Sequence, residues 1–267
     1  MEDIRPLKKF GKPYLIPFYC NYKGKRCFGK LFYINGDYVK KKYDTEVTIN
    51  RGIVKSLLAV TPHVPKLIKV FKTFDGESFY SQHKDQLSPN HVKMIADNIK
   101  FPAKVILYED VGKQTLRTNI NRMNINELEK VLFQILYTLL SFEAKGLCHG
   151  DMYIQGNVMI RKMDNPSDLH YKVGNTHYLL PKTRWFASVI DFDLASQNAS
   201  SQCNDLKYLQ ESIKKFSKRN DHINEDSVQT ALTNQGKKYI VPASKTAFDN
   251  KFKSKEDLTF YIAQQKN

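Results

Sequence analysis

Long apolar runs, closely spaced cysteines, low-complexity tracts and internal repeats are all missing from this sequence of 267 residues. The longest apolar stretch, around Val131 to Leu140, is broken by Gln134 and falls short of the roughly 18 residues that a membrane-spanning helix requires. No membrane span is therefore expected. Met1 to Phe10 carries charge but none of the apolar stretch that marks a secretory signal, which favours a reducing, intracellular setting. The four cysteines, Cys20, Cys27, Cys148 and Cys203, agree with that setting. No two stand at a metal-ligand spacing such as C-x-x-C, so they read as buried thiols.

What is present is ordinary in bulk and unusual in charge. Hydrophobic residues at 41% and charged residues at 26% match folded soluble proteins and exclude wholesale disorder. The length suffices for one large domain or two modest ones without disulfide staples. The formal charge of +15 comes almost wholly from lysine scattered along the chain. It implies attraction to polyanions in general, whether nucleotides, nucleic acid, an acidic protein or an anionic surface. Charge alone does not choose among them, and an AT-rich genome accounts for lysine-rich usage equally well.

Strand-like pieces separated by glycine-bearing turns open the chain: Phe18 to Tyr22, then the turn stretch Gly24 to Gly29, Lys30 to Ile34, the turn Asn35-Gly36, and Tyr38 to Lys42. Asn-Gly between two such runs is a strong hairpin signal, and a three-stranded antiparallel start is expected. Val47, Ile49, Ile53, Val54, Leu57 and Leu58 recur at helical spacing within Thr45 to Val60, before Pro62 and Pro65. Two β-rich runs, Lys66 to Phe74 and Ala103 to Glu109, bracket a helix-like stretch, Pro89 to Asn98. The composition then changes. Asn124 with Glu127 resembles a capping box, and Ile125, Leu128, Leu132, Ile135, Leu139 and Phe142 form an apolar stripe ending at Gly146. Asp205 to Phe216 repeats that periodicity. In the basic tail only Glu256 to Gln264 looks helical.

Directly after the long helix comes His149-Gly150-Asp151-Met152-Tyr153-Ile154-Gln155-Gly156-Asn157, followed by an apolar strand. This H-G-D-x-x-x-x-N pattern puts a carboxylate and an amide six residues apart on one loop, and Asp191 ends the β-branched run Ser188-Val189-Ile190. Phosphoryl transfer needs such a set, with one carboxylate to orient and deprotonate a hydroxyl, and an amide and a second carboxylate to hold magnesium. Each piece alone is weak, but their order is a strong signal.

By these segments the chain resembles the protein-kinase-like superfamily. The resemblance implies an α+β, two-lobed fold: a small β-rich lobe at 1–111 on the nucleotide side, a larger helical lobe at 112–267, and a shortened activation segment. It implies ATP and Mg²⁺ as cofactors, Asp151 as catalytic base, Asn157 and Asp191 as magnesium ligands, and His149 as a support of the loop. For the phosphate-binding lysine it points to Lys40, or else Lys42, with Glu46 as partner. Gly24 and Gly29 would bound a shortened glycine-rich loop over the phosphates, and backbone groups near Glu109 and Val111 would meet adenine. Asp205 resembles the aspartate that braces the catalytic loop, though a plain helix-start acid fits it equally.

Three departures stand out. Tyr153 occupies a position where such kinases carry a lysine. Arg161 to Ala187 is an insertion in which Tyr171 to Val173 and His177 to Leu180 flank Gly174-Asn175 as a hairpin, an arrangement that resembles the atypical serine/threonine kinases encoded by large DNA viruses. Only about a dozen residues separate Asp193 from Asp205, too few for a usual activation segment. The expected activity is ATP- and magnesium-dependent transfer to Ser/Thr of protein substrates, acidic ones favoured, with non-specific nucleic-acid contact a further consequence of the charge. If the protein is viral, host cytoplasm or virion is the expected location. A small-molecule kinase of the choline or aminoglycoside type and a pseudokinase binding module are the alternatives.

Overall fold

The computed structural model describes residues 1–7, 11–173, 176–197, 203–216, 240–241 and 258–263. It is an α+β protein of two compact units. Unit 1 comprises Met1–Lys55, Pro65–Val111 and Phe192–Leu194, and unit 2 comprises Ser56–Val64, Gly112–Asp191 and Ala195–Asn267. A single division after residue 111 would assign Ser56–Val64 and Phe192–Leu194 the other way.

In unit 1, β1 (Glu2–Pro6), β2 (Leu15–Tyr22) and β3 (Lys25–Tyr33) are followed by α1 (Asp37–Ile49). Helical backbone continues through Asn50–Val54 into the one-turn α2 (Lys55–Leu57). Then come β4 (Leu67–Phe74), α3 (Gly76–His83), α4 (Pro89–Ala96) and β5 (Ala103–Glu109), the strands forming one sheet in the order β1-β2-β3-β5-β4. β2 and β3 are a tight hairpin because Lys23 and Gly24 both take positive φ, 52° and 71°, the turn geometry that matches strand twist. The Gly24 to Gly29 stretch is therefore not a loop. Gly29 sits inside β3, where an added Cβ would lie 2.3 Å from the Phe18 ring, so glycine there makes room for an aromatic of the opposite strand. Ile16, Phe18, Leu31, Tyr33, Phe79, Ile95 and Leu107 form the core of this sheet with Cys20 and Cys27. Those two cysteines are buried free thiols, as expected, and burial, with Cys27 alongside, pushes Cys20 up to about 11.

The expected strand at Tyr38 to Lys42 is instead the start of α1. Its buried residues, Val39, Lys42, Tyr43, Glu46 and Ile49, recur every three or four positions, which is helical and not strand periodicity. The apolar stripe of this helix is thin and carries charge, so apolar residues alone placed its beginning too late, at Thr45.

Unit 2 contains β6 (Gln114–Thr115), α5 (Leu116–Asn119), α6 (Ile125–Ala144), β7 (Leu147–Cys148), β8 (Val158–Val173), β9 (Thr176–Val189), β10 (Ser196–Gln197), α7 (Asp205–Phe216), β11 (Ile240–Val241) and β12 (Leu258–Ala263). α6 has the anticipated capping box: Asn124 Oδ1 accepts from Glu127 N, and Glu127 Oε2 accepts from Asn124 N. Gln134, the residue that interrupts the apolar run, is fully buried. It donates to Trp185 O and accepts from Ala187 N, both on β9, so a side-chain amide bonds α6 to the strand backbone. β8 and β9 pair from Val158↔Val189 to Val173↔Thr176, so the inserted hairpin is present and is much longer than its turn signal indicated. Its turn, Gly174-Asn175, lies outside the described residues. The larger unit is thus as much sheet as helix. The helix read at Glu256 to Gln264 is corrected where described: Leu258–Ala263 is a strand pairing antiparallel with Asp168 to Val173 of β8, whose open edge supplies backbone partners that local periodicity does not register. Among the described residues no helix is long and apolar enough to cross a membrane.

His63 is fully buried in unit 2, donating from Nδ1 to Ala187 O (2.8 Å) and accepting at Nε2 from Tyr171 Oη (2.8 Å). Both ring nitrogens are committed to the neutral form, and burial lowers the pKa to about 3. The unfolded chain binds this proton near pH 6.5, so stability should fall as pH drops from about 6.5 towards 3, by up to about 1.4 kcal/mol per pH unit. Urea unfolding at pH 7 and pH 5 should show this loss, and His63→Asn, though less stable at pH 7, should show a flatter dependence. An unchanged dependence in the variant would remove His63 as its source.

Candidate functional site

The H-G-D-x-x-x-x-N segment is held in unit 2 by its own backbone and by α7. Asp205, at the first turn of α7 and 5% exposed, accepts from His149 N at Oδ2 (2.7 Å) and from Gly150 N at Oδ1 (2.8 Å). It therefore braces the loop, and the plain helix-start reading is set aside. Gly150 takes φ 79°, a left-handed conformation that glycine adopts without cost. His149 is buried, stacks on Phe142 and donates from Nε2 to Ile190 O (2.9 Å). Farther along, Ile154 N donates to Ser212 Oγ of α7.

This bracing brings Asn157 onto Asp151. The Asn157 amide donates to Asp151 O (2.6 Å) and to Asp151 Oδ2 (2.7 Å), fixing the carboxylate and leaving the amide oxygen of Asn157 as a hard ligand atom. Asn157 O in turn accepts from Ile190 N (2.9 Å). Both backbone groups of Ile190 are thereby anchored to this loop, one residue before Asp191. Asp191 has φ 73°, in the left-handed region that aspartate enters more readily than most residues with a Cβ. Tyr153 stacks on Tyr208 of α7 at 5.2 Å.

Unit 1 carries a second constellation. Lys30 of β3 donates to Glu46 Oε1 of α1 at 2.6 Å, with side-chain exposures of 4% and 1%. Tyr108 of β5 donates to the same oxygen at 2.7 Å. Lys40, expected in this role, is exposed on α1 and is not on a strand. The strand lysine is Lys30, ten residues earlier, and Glu46 is its partner. An available signal was the run Cys27-Phe28-Gly29-Lys30-Leu31-Phe32, in which a single lysine interrupts residues fit for a buried strand. Lys42 is buried and points elsewhere, donating with Lys12 to Asp193 Oδ2 at 3.1 and 2.8 Å. Burial, the largest influence on Lys42, pushes its pKa down, but the charge and hydrogen bond of Asp193 outweigh it and the lysine titrates above its ordinary value. Asp193 is thus committed to two cations.

The remaining candidates fare unevenly. Gly24 lies in a two-residue turn and Gly29 within a strand, so they do not bound a loop. Glu109 N donates to Lys66 O, and its side chain accepts from Lys66 N, which commits that N–H to the sheet. Val111 is buried at the end of unit 1. Cys148 and Cys203 are joined by a disulfide across 55 residues, correcting the expectation of four thiols. Pairing of β10 with β7 also sets Ser196 opposite Cys148, and spacing in sequence encodes neither contact.

No family model matches the chain, and none of the curated proteins compared with it matches.

Proposed function

We propose that the protein is an ATP- and magnesium-dependent phosphotransferase with a two-lobed, protein-kinase-like fold, acting on Ser/Thr of protein substrates. The observation that carries this reading is the buried Lys30–Glu46 pair. A lysine withdrawn from water on a strand and fixed by a helix carboxylate is what phosphate placement requires, and it arises independently of the H-G-D-x-x-x-x-N motif. Asp151 is then the base that accepts the proton of the attacking hydroxyl, oriented by the amide of Asn157. Lys30 contributes the cation that attracts nucleotide phosphates. The amide oxygen of Asn157 and the carboxylate of Asp191 are hard oxygen donors that fit Mg²⁺, which when bound would neutralise charge on the transferring phosphoryl group. Asp193 carries Lys12 and Lys42 on Oδ2, and the scheme assigns it no role.

The substrate class follows from charge. A +15 chain should attract acidic protein acceptors through a field screened over about 8 Å at physiological salt, whereas a neutral alcohol feels little of it. Incubation with γ-labelled ATP and Mg²⁺ should label serine or threonine in a casein-like protein more than in a histone, with transfer falling steeply as salt is added. Label entering only a small amino alcohol would replace the protein-kinase reading with a small-molecule one. No transfer to any acceptor, with nucleotide still bound, would leave a pseudokinase.

A further inference from the structure

We propose that Cys148 and Cys203 form a reversible thiol–disulfide site whose oxidised state locks the H-G-D loop, and whose exchange partner is a small-molecule thiol/disulfide couple. Cys148 directly precedes His149 and is buried; Cys203 is exposed and lies two residues before Asp205. The bond therefore joins the two strands of chain that Asp205 already connects through His149 N and Gly150 N. When it is closed, the brace and the braced loop are covalently one piece. When it is open, hydrogen bonds, the stack of Tyr153 on Tyr208 and the two-residue pairing of β7 with β10 hold them.

The chemistry balances with the couple alone. Cys203, the accessible sulfur, attacks the external disulfide as thiolate, forming a mixed disulfide and expelling one external thiolate. Cys148 thiolate then attacks Cys203 Sγ, closing the protein disulfide and expelling the second. The two cysteine protons pass to the two leaving thiolates, and reduction by the external thiol runs the same steps backwards. Asp205 Oδ2 lies 3.2 Å from Cys203 Sγ. A carboxylate there disfavours the thiolate and so favours the closed bond. In the open state the Cys203 thiol can donate to this oxygen, the one that also receives His149 N–H, which gives the two states different contacts at the loop.

As regulation of the site this rests on the proposed function, but its test uses no ATP, so the two can fail separately. The full chain is equilibrated in oxidised and in reduced glutathione, alkylated, and mapped by mass spectrometry without reduction, and backbone hydrogen exchange is followed in peptides covering residues 147–152. The expected result is a Cys148–Cys203 link in the oxidised sample only, with exchange of the loop about tenfold faster in the reduced one. Cys203→Ser, a change at an exposed position, should exchange at the faster rate in both buffers. Two alkylatable thiols in the oxidised sample would overturn the proposal. So would a link that leaves exchange unchanged, or stoichiometric zinc held by the reduced Cys148, Cys203 and Asp205 group, whose ligand atoms lie within 4.8 Å of one another, if it blocks oxidation.

Discussion

Asp151→Asn is expected to lower phosphoryl transfer by about 10²- to 10⁴-fold, the usual contribution of a positioned general base, while leaving ATP affinity nearly unchanged. The asymmetry follows from where the residue acts. In the proposed mechanism Asp151 meets the acceptor hydroxyl, its carboxylate oriented by Asn157 Nδ2 at 2.7 Å, so the interaction it would supply strengthens only as the proton moves. The substitution is nearly isosteric, and the loop is fixed elsewhere, through Asp205 on His149 N and Gly150 N, so the fold should persist. Turnover and nucleotide binding measured on the same preparation decide the matter. Equal turnover in variant and parent would remove Asp151 from the mechanism. A parallel collapse of ATP binding would mean that the residue holds the nucleotide instead.

The legibility of this site in the sequence divides along physical lines. The Asp151–Asn157 contact could be anticipated because the H-G-D-x-x-x-x-N spacing confines both residues to one short loop. The α6 cap could be read because Asn124 and Glu127 bond within one turn. The Lys30–Glu46 pair was missed because it depends on which residues are strand and which are helix. Once Tyr38 to Lys42 was taken as a strand, Lys40 displaced Lys30, although the burial of Val39, Lys42, Tyr43 and Glu46 follows a helical period. The Cys148–Cys203 bond and the β12 strand were invisible for a different reason: each is made by partners far away in sequence, and nothing local distinguishes a thiol or an apolar run that will find such a partner. Asp193 shows a third case. Nothing in its sequence neighbourhood marks it for an ion pair, and only tertiary structure reveals Lys12 and Lys42 on one carboxylate oxygen.

The correction from Lys40 to Lys30 has the largest expected effect on stability. Lys30→Met leaves Glu46, 1% exposed, as a buried carboxylate with Tyr108 still donating to it but without its cation, and breaking one side of such a pair costs about 3–5 kcal/mol. Glu46→Gln should also destabilise, since it strands the Lys30 ammonium, which is equally withdrawn from water. The double variant, Lys30→Met with Glu46→Gln, removes both charges and should recover much of the loss, because a buried ion pair is often no more stable than a neutral pair of similar volume. Activity should behave differently. If Lys30 carries the charge that places the phosphates, neither the single variants nor the stabilised double variant should transfer phosphate at the parent rate, while Lys40→Met, at an exposed position of α1, should be close to the parent in both measurements. Denaturant unfolding of the four proteins, read beside their turnover, separates the two roles: a double variant that regains stability and activity together would make the pair a packing device, and a large loss of turnover in Lys40→Met alone would restore the assignment first drawn from the sequence.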